Sequence, residues 1–306
     1  MKVGVMLFDK ELQKYNLMSY RNEDTSILKD VLLDKLNFSV RSLSRMKREK
    51  SILVNGEFEK LNTKLKSGDL IEVKINEDKA NFEPQDLKLN ILFDDFDIIM
   101  VDKPPLMVVH PTKSHVDNTI ANGVTHFIDE KGENVKIRFV NRLDMNTSGL
   151  VIIAKNAYAH HVLSDDMKYD KVEKKYITIV KGVLKDDKGV IDAPIYRSTD
   201  DSIKRVVDDR GQRAITHYKV LERLKDATVL EVELFTGRTH QIRVHMEYIG
   251  HGIIGDELYG YVDESLITRQ ALHAYSLKFE QPRTREVLKF DSNIPEDMKD
   301  LIDKLK

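Results

Sequence analysis

The spacing of apolar and polar positions changes period near Leu89. Before that point the clearest signal is helical. Ile27, Leu28, Val31, Leu32 and Leu36 share one face, with Thr25 and Ser26 ahead of them as candidate N-caps and Asn37 as a stop. Ser39 opens a second short helix whose apolar stripe is Val40, Leu43 and Met46. Ile52–Val54 and Glu57–Glu59 then flank Asn55-Gly56, a dipeptide suited to a tight hairpin turn. After a turn at Gly68-Asp69, Leu70–Ile75 alternates as a strand does. Residues 1–20 read as an extended lead-in.

From Leu89 onward, short strand-like runs recur: DIIMVDKP, GLVIIAK, KYITIVKG, ATVLEVEL and YSLKFEQP. Helical spacing returns over 239–249 and in the tail Glu296–Leu305. Strand-rich and helix-rich runs without regular alternation predict an α+β fold: a large, mainly antiparallel mixed sheet, with a small α/β unit ahead of it. The expected division is 1–80 with its lead-in, a polar linker with Pro84 over 81–88, and a larger domain over 89–306.

Composition narrows the class. With 41% apolar and 33% charged residues the chain reads as globular. It has no cysteine, which excludes disulfides and thiolate chemistry and fits a reducing cytoplasm. Asp9 and Glu11 interrupt the start where a secretion signal needs an apolar run, and no run is long enough to span a membrane. A cytoplasmic location with no membrane contact is expected. The net charge of −2 means that any nucleic-acid partner must be met by local basic patches. One such patch is RSLSRMKREK, where Arg41, Arg45, Lys47, Arg48 and Lys50 face a single acid, Glu49.

Dinucleotide and phosphate-loop glycine motifs are absent, as are HExxH and GxSxG. His240 and His245 miss the one-face spacing of a helical metal pair, so no metal is expected. The informative stretch is VNRLDMNTSGLVIIAKN, residues 140–156. There Asp144 lies between Arg142 and a Thr147-Ser148-Gly149 turn, at the mouth of an apolar strand, as a nucleophile on a rigid scaffold would. The plainer alternative, a carboxylate that caps the turn and pairs with Arg142, is the stronger on these residues alone. In FTGRTHQIRVHMEYIGHGIIGDELYG (235–260), Thr239 is a candidate N-cap and Gly250 a stop. Arg238, His240, Gln241 and Arg243 cluster at that helix start, suiting a polyanion, a buried carboxylate or an ordinary solvated face. Tyr176 alternates with Thr178 on a strand, and its polar neighbours fit a ring at a wet cleft.

Together these blocks resemble the RluA family of pseudouridine synthases. The resemblance rests on RLD followed by TSG, on VDKPPLMVVHPT (101–112), KKYITIVKG (174–182), GRTHQIRVHMEYIGHGIIGDELYG (237–260) and LHAYSLKFEQPRT (272–284). Residues 25–75 resemble an S-four-like RNA-binding domain through the leading helix, SLSRMKREK, VNG and GDLIEV. This chain has Asn141 where the family usually has His, Leu106 where Gly is common, and Gly252 where Pro stands.

The resemblance implies a cofactor-free isomerase acting on uridines in RNA, ribosomal ahead of transfer RNA, and read as a monomer. Asp144 would be the catalytic carboxylate, Tyr176 would pack on the flipped base, and Arg243 would pair with Asp144. Arg142 would fill the space the nucleotide leaves, with Arg238, His240 and Gln241 as further substrate contacts. The basic helix would bind RNA. Two rivals are an RNA-binding assembly factor with a silent catalytic domain, and a retaining glycosidase. The latter would need a second acid about 5–5.5 Å from the first.

Overall fold

The structure, a computed structural model, describes residues 10–77, 82–112, 115–197 and 203–306. Its centre is a ten-stranded sheet. In spatial order the path runs Lys188–Asp192, Ile215–Arg223, Ala227–Leu234, Glu173–Lys181, Leu272–Glu280, Ser148–Ala154, Ile98–Lys103 and Asn90–Asp94, with two further strands at the side. Every pairing is antiparallel except one: Ser148–Ala154 runs parallel to Leu272–Glu280, through Ser148 opposite His273 and Gly149 opposite Ala274. The five strand-like runs of the sequence all lie in this sheet.

The parallel junction places the functional loop. Gly149 and Tyr176 are both paired with Ala274, one from each side. Gly149 has φ +112, and a Cβ there would lie 2.2 Å from the Ala274 carbonyl oxygen, so only glycine permits this approach. The register of the Tyr176 strand slips between Lys175 and Tyr176. Such an irregularity re-aims a side chain. The loop that carries Asp144 enters the sheet at Ser148, beside this row.

Ahead of the large sheet, Leu17–Arg21, Leu70–Lys74, Ile52–Val54 and Glu57–Phe58 form a four-stranded sheet. Residues 17–20, expected in the lead-in, are thus paired with Ile71–Lys74; residues 1–9 lie outside the described ones. The first helix is shorter than its periodicity suggests. Ser26–Ile27 pair with Lys64–Leu65 as a strand, so neither Thr25 nor Ser26 caps it; it starts at Leu28 and widens into a π-type turn over Val31–Lys35. Asn37 ends it with φ 53. The second helix, Val40–Glu49, follows Ser39 as expected and is capped by the Ser39 side chain; it buries Leu43 and Met46, but Val40, expected on the same stripe, stays 71% exposed.

This small unit shares its core with the larger one: Tyr158 and Val162, from helix Ala157–Lys168, pack among Leu28, Leu43 and Ile52. Polar ties cross the same boundary. Glu77 accepts from Arg138 at 2.7 Å and from the Ala157 amide at 2.9 Å. Arg283 donates to the carbonyls of Lys14 and Leu17.

Candidate active site

Asp144 lies on the loop ahead of strand Ser148–Ala154, and three buried groups hold that loop by its own polar atoms. Lys103 donates to the Met145 carbonyl at 2.8 Å, Arg269 to the Asn146 carbonyl and Gln270 to the Thr147 hydroxyl, both at 3.2 Å. Lys103 also donates to the Pro104 and Met107 carbonyls, so three acceptors match the three N–H groups of an ammonium. Burial, then the nearby Arg269, pull its pKa down to about 7, against the charge of Asp144. Arg269 is itself clamped by Asp297 at 2.6 and 2.8 Å. A rigid support of this kind is what a precisely aimed side chain needs.

The carboxylate pairs with Arg243, which donates to it at 2.8 Å. It does not pair with Arg142, whose guanidinium reaches the Thr239 hydroxyl at 3.0 Å instead. Arg243 comes from helix Gln241–Tyr248 and is 6% exposed. Its other edge meets the fully buried Asp256 in a bidentate pair at 2.6 and 2.8 Å. Asp256 also accepts from the amides of Leu258 and Tyr259. Burial works against charge on Arg243, but Asp256 and Asp144 outweigh it and raise its pKa. Asp256 therefore sets where the guanidinium points, and the guanidinium sets where Asp144 points.

The start of the Arg243 helix departs from expectation. Thr239 is not its cap: His240 is, with φ 60 and no side-chain cap bond. A non-glycine residue in the left-handed region is strained, and such strain concentrates at functional sites. It turns the imidazole so that Nδ1 meets the Tyr259 hydroxyl at 2.9 Å and Nε2 lies 3.8 Å from Asp144. Burial lowers the pKa of His240, so the ring is neutral at pH 7.

Gln241 is brought to the site but turned into the protein. Its amide donates to the Ile215 carbonyl and the Thr216 hydroxyl, and its oxygen accepts from the Thr236 hydroxyl and the Arg238 amide. Having no polar atom to spare for substrate, it latches the loop before the helix. Thr178, the polar neighbour that suggested a wet face for Tyr176, is fully buried and donates to the Ala271 carbonyl. Tyr176 reaches the cavity all the same, half-buried between two apolar cores. Burial and then the Asp144 charge raise its pKa, which keeps the hydroxyl protonated.

Above these groups opens a cavity of about 990 Å³, lined by Arg142, Asp144, Tyr176, Arg205, Arg238 and His240 among others. It runs down to a recess of about 70 Å³ where Asp144, Tyr176 and Arg243 meet. Arg142 and Arg238 are exposed on its rim. The basic helix does not line this cavity. Arg41, Lys47, Arg48 and Lys50 are exposed there, whereas Arg45 turns toward Glu77 and Glu49, each at 3.9 Å. Lys50 lies over the Phe58 ring.

Of the three departures from the family pattern, Asn141 and Gly252 acquire a structural reason and Leu106 does not. Asn141 bridges to the neighbouring strand, donating to the Leu150 carbonyl and accepting from the Ile152 amide, so its side chain is a structural tie. Leu106 has φ 63, a conformation that glycine adopts without strain. Gly252 packs where a Cβ would come within 2.8 Å of Gly260 and of the Tyr259 carbonyl. Among the described residues no group of three or more His, Asp or Glu side chains is placed to hold a metal ion. Among them, too, no helix is long and apolar enough to cross a membrane.

Sequence reasoning missed Asp256, Lys103, Arg269 and Tyr259. Asp256 lies within the GHGIIGDELYG stretch, but only its contact with Arg243 sets it apart. Lys103 and Arg269 carry one faint signal, a cation beside an apolar run.

Comparisons with known proteins identify the family of the chain. The profile of a family described as RNA pseudouridylate synthase matches residues 97–248, the stretch that holds Asp144, Tyr176, His240 and Arg243. The chain is 42% identical over 265 residues to YlyB of Bacillus subtilis, an uncharacterised RNA pseudouridine synthase, covering 85% of this chain and 87% of the relative. It is 38% identical over 306 residues to the ribosomal large subunit pseudouridine synthase D of Vibrio cholerae, covering 92% and 94%. Among solved structures, human RNA pseudouridylate synthase domain containing 1 superposes with a TM-score of 0.56 at 25% identity, over 69% of this chain and 86% of its own.

Proposed function

This chain belongs to the RNA pseudouridylate synthase family and isomerises uridine to pseudouridine in RNA, and on that premise we propose that Asp144 is its catalytic nucleophile and ribosomal RNA its substrate. The reaction breaks the bond from the ribose C1′ to N1 of uracil, turns the ring, and joins C1′ to C5. N1 gains a proton and C5 loses one, so substrate and product are isomers and no redox partner is consumed.

The observation that carries the reading is the 2.8 Å contact of Arg243 with Asp144 at the floor of an arginine-rimmed cavity. Asp144 attacks the extruded nucleoside. Arg243 aims it, and Tyr176 covers the base as a protonated hydroxyl rather than acting as a base. Extrusion costs a few kcal/mol of stacking and pairing. Arg142 and Arg238, on the rim, supply contacts that offset it. His240, neutral, orients beside Asp144, and Gln241 is a positioning residue only. Asp256 is committed to Arg243 and two amides, which removes it as the second acid a glycosidase would need. A silent assembly factor would have no use for the Asp256–Arg243–Asp144 chain.

Residues 1–80 act as an S-four-like RNA-binding domain, with Arg41, Lys47, Arg48 and Lys50 toward phosphates and Arg45 at its junction with the catalytic part. Residues 89–306 carry the chemistry. Ribosomal RNA as the substrate follows the name of the Vibrio cholerae relative. The enzyme works as a cytoplasmic monomer.

The test is to incubate the purified protein with transcribed large-subunit ribosomal RNA and, separately, with pooled transfer RNA. Pseudouridine is then mapped by carbodiimide modification and primer extension. Discrete new stops in the ribosomal RNA are expected. Stops in transfer RNA alone would refute the substrate, and none in either would refute the proposal as a whole.

A further inference from the structure

A second cavity, of about 540 Å³, lies against the first. Its walls come from the antiparallel pair Ile195–Arg197 and Arg205–Val207, from the turn at Arg210–Gln212, and from the loop ahead of the Arg243 helix. Five arginines line it: Arg142, Arg197, Arg205, Arg210 and Arg238. Among the described residues no carboxylate does. Arg142, Arg205 and Arg238, with Gly237 and Thr239, line both cavities, so the two share a wall.

Collecting five guanidinium groups around one space is unfavourable unless an anion enters it. Among the described residues, their partners leave that charge largely uncompensated. Among the described residues only Arg210 has a carboxylate partner, Asp208, at 2.7 Å. Arg205 donates to the carbonyls of Ile203 and Lys204, Arg238 to that of Arg213, and Arg142 to the Thr239 hydroxyl. Arg197 is exposed and makes no ion pair among the described residues. The Arg210 guanidinium lies over the Tyr196 ring, 4.5 Å from its centroid, and both residues line the cavity wall.

We propose that this arginine cavity binds a backbone phosphodiester of the RNA strand next to the uridine held at Asp144. The shared wall makes the placement natural: a strand whose uridine drops to Asp144 must pass Arg142, Arg205 and Arg238, and its neighbouring phosphate then meets Arg197 and Arg210. Guanidinium forks suit phosphate oxygens. Phosphate contacts fix register and orientation without reading sequence, so this cavity sets where the strand lies while the inner recess takes the base. The proposal rests on the reading of the Asp144 cavity as the nucleoside site.

Arg197 and Arg210 line the outer cavity only, which makes them the residues to change. The probe is a fluorescein-labelled single-stranded RNA of mixed sequence, bound by the full chain across a salt titration and read by anisotropy. Arg197→Ala with Arg210→Ala is expected to weaken binding about tenfold, and to flatten the slope of log affinity against log salt by about 0.7, the share of one neutralised phosphate on a single strand. Arg197→Lys with Arg210→Lys should keep most of the slope. Tritium release from C5-labelled ribosomal RNA should show KM raised and kcat at saturation held. Arg197→Glu, at an exposed residue that makes no ion pair among the described residues, repeats the test should the double variant fail to fold. Unchanged affinity and slope would overturn the proposal, as would a fall in kcat with affinity intact. Polyglutamate competing as well as polyuridylate would overturn the assignment to RNA. Failure of the enzyme reading shows separately, as absence of tritium release by the unaltered protein, because the binding readout does not depend on catalysis.

Discussion

Arg243 donates to Asp144 at 2.8 Å across 99 residues of chain, and its opposite edge is held in a two-point pair by the buried Asp256. A carboxylate that ends at the floor of a cavity is thereby tied, through one guanidinium, to a second carboxylate that solvent never reaches. The aim of the first depends on the second.

Asp256→Ala should cost about 3–5 kcal/mol, the usual penalty for stripping the partner from a buried ion pair. Urea denaturation checks this. The milder Arg243→Lys keeps a charge but loses the fork, so it cannot hold both acids at once. Its kcat should fall about 10²-fold, as expected when a reacting group is displaced by about an ångström, while RNA affinity changes little. Equal losses in kcat and in affinity would count against a positioning role.

Gly149→Ala should destabilise the protein by more than about 3 kcal/mol. The residue would have to keep φ +112 with its Cβ 2.2 Å from a backbone oxygen, and backbone cannot step aside as a side-chain tip can. A denaturation midpoint close to that of the unaltered protein would show that the parallel junction tolerates a side chain.

The strands were legible as short apolar runs bounded by turn residues, a local pattern; Ser148–Ala154, buried along its whole length, shows no alternation at all. Helix Ile120–Glu130 was not: Gly123 sits in its middle, since a Cβ there would press on Leu89, and its capping box uses Asn122 in place of the usual Glu or Gln. Ser26 looked like a helix cap because its hydroxyl suits that role, but pairing with Leu65 claimed its backbone first. At the site, Asp144, Tyr176 and Arg243 could be picked out from ordered motifs. Asp256, Lys103 and Arg269 could not, because what distinguishes them is burial against partners that only the folded chain brings near.

Stability should rise with pH between about 6 and 7. Burial lowers the pKa of His160, His240, His245 and His273, so the unfolded chain takes up their protons first, and stability is lost as pH falls through about 6.5. Asp95 acts with the opposite sign. Burial, then Asp97, raise it to about 6, so at pH 6 the folded state holds about half a proton there, which offsets only part of what the four rings lose. The urea midpoint should therefore be lower at pH 6 than at pH 7. A midpoint that stays flat or climbs on acidification would contradict the buried, neutral state of these rings.

Arg41→Ala with Lys47→Ala and Arg48→Ala should flatten the salt dependence of RNA binding by about 0.7–0.9 for each phosphate the helix no longer neutralises. Arg45→Ala should leave that slope nearly unchanged, because its guanidinium faces Glu77 at the junction of the two sheets. Salt titrations of both variants separate the roles. A large slope change from Arg45→Ala alone would mean that Glu77 releases it when RNA binds.

The most direct measurement is tritium release from C5-labelled ribosomal RNA by Asp144→Ala, alongside its RNA affinity. Release should fall to background with affinity within about threefold of the unaltered protein, since the carboxylate supplies chemistry rather than grip. Release at an appreciable fraction of the unaltered rate would contradict the assignment of Asp144 as the nucleophile.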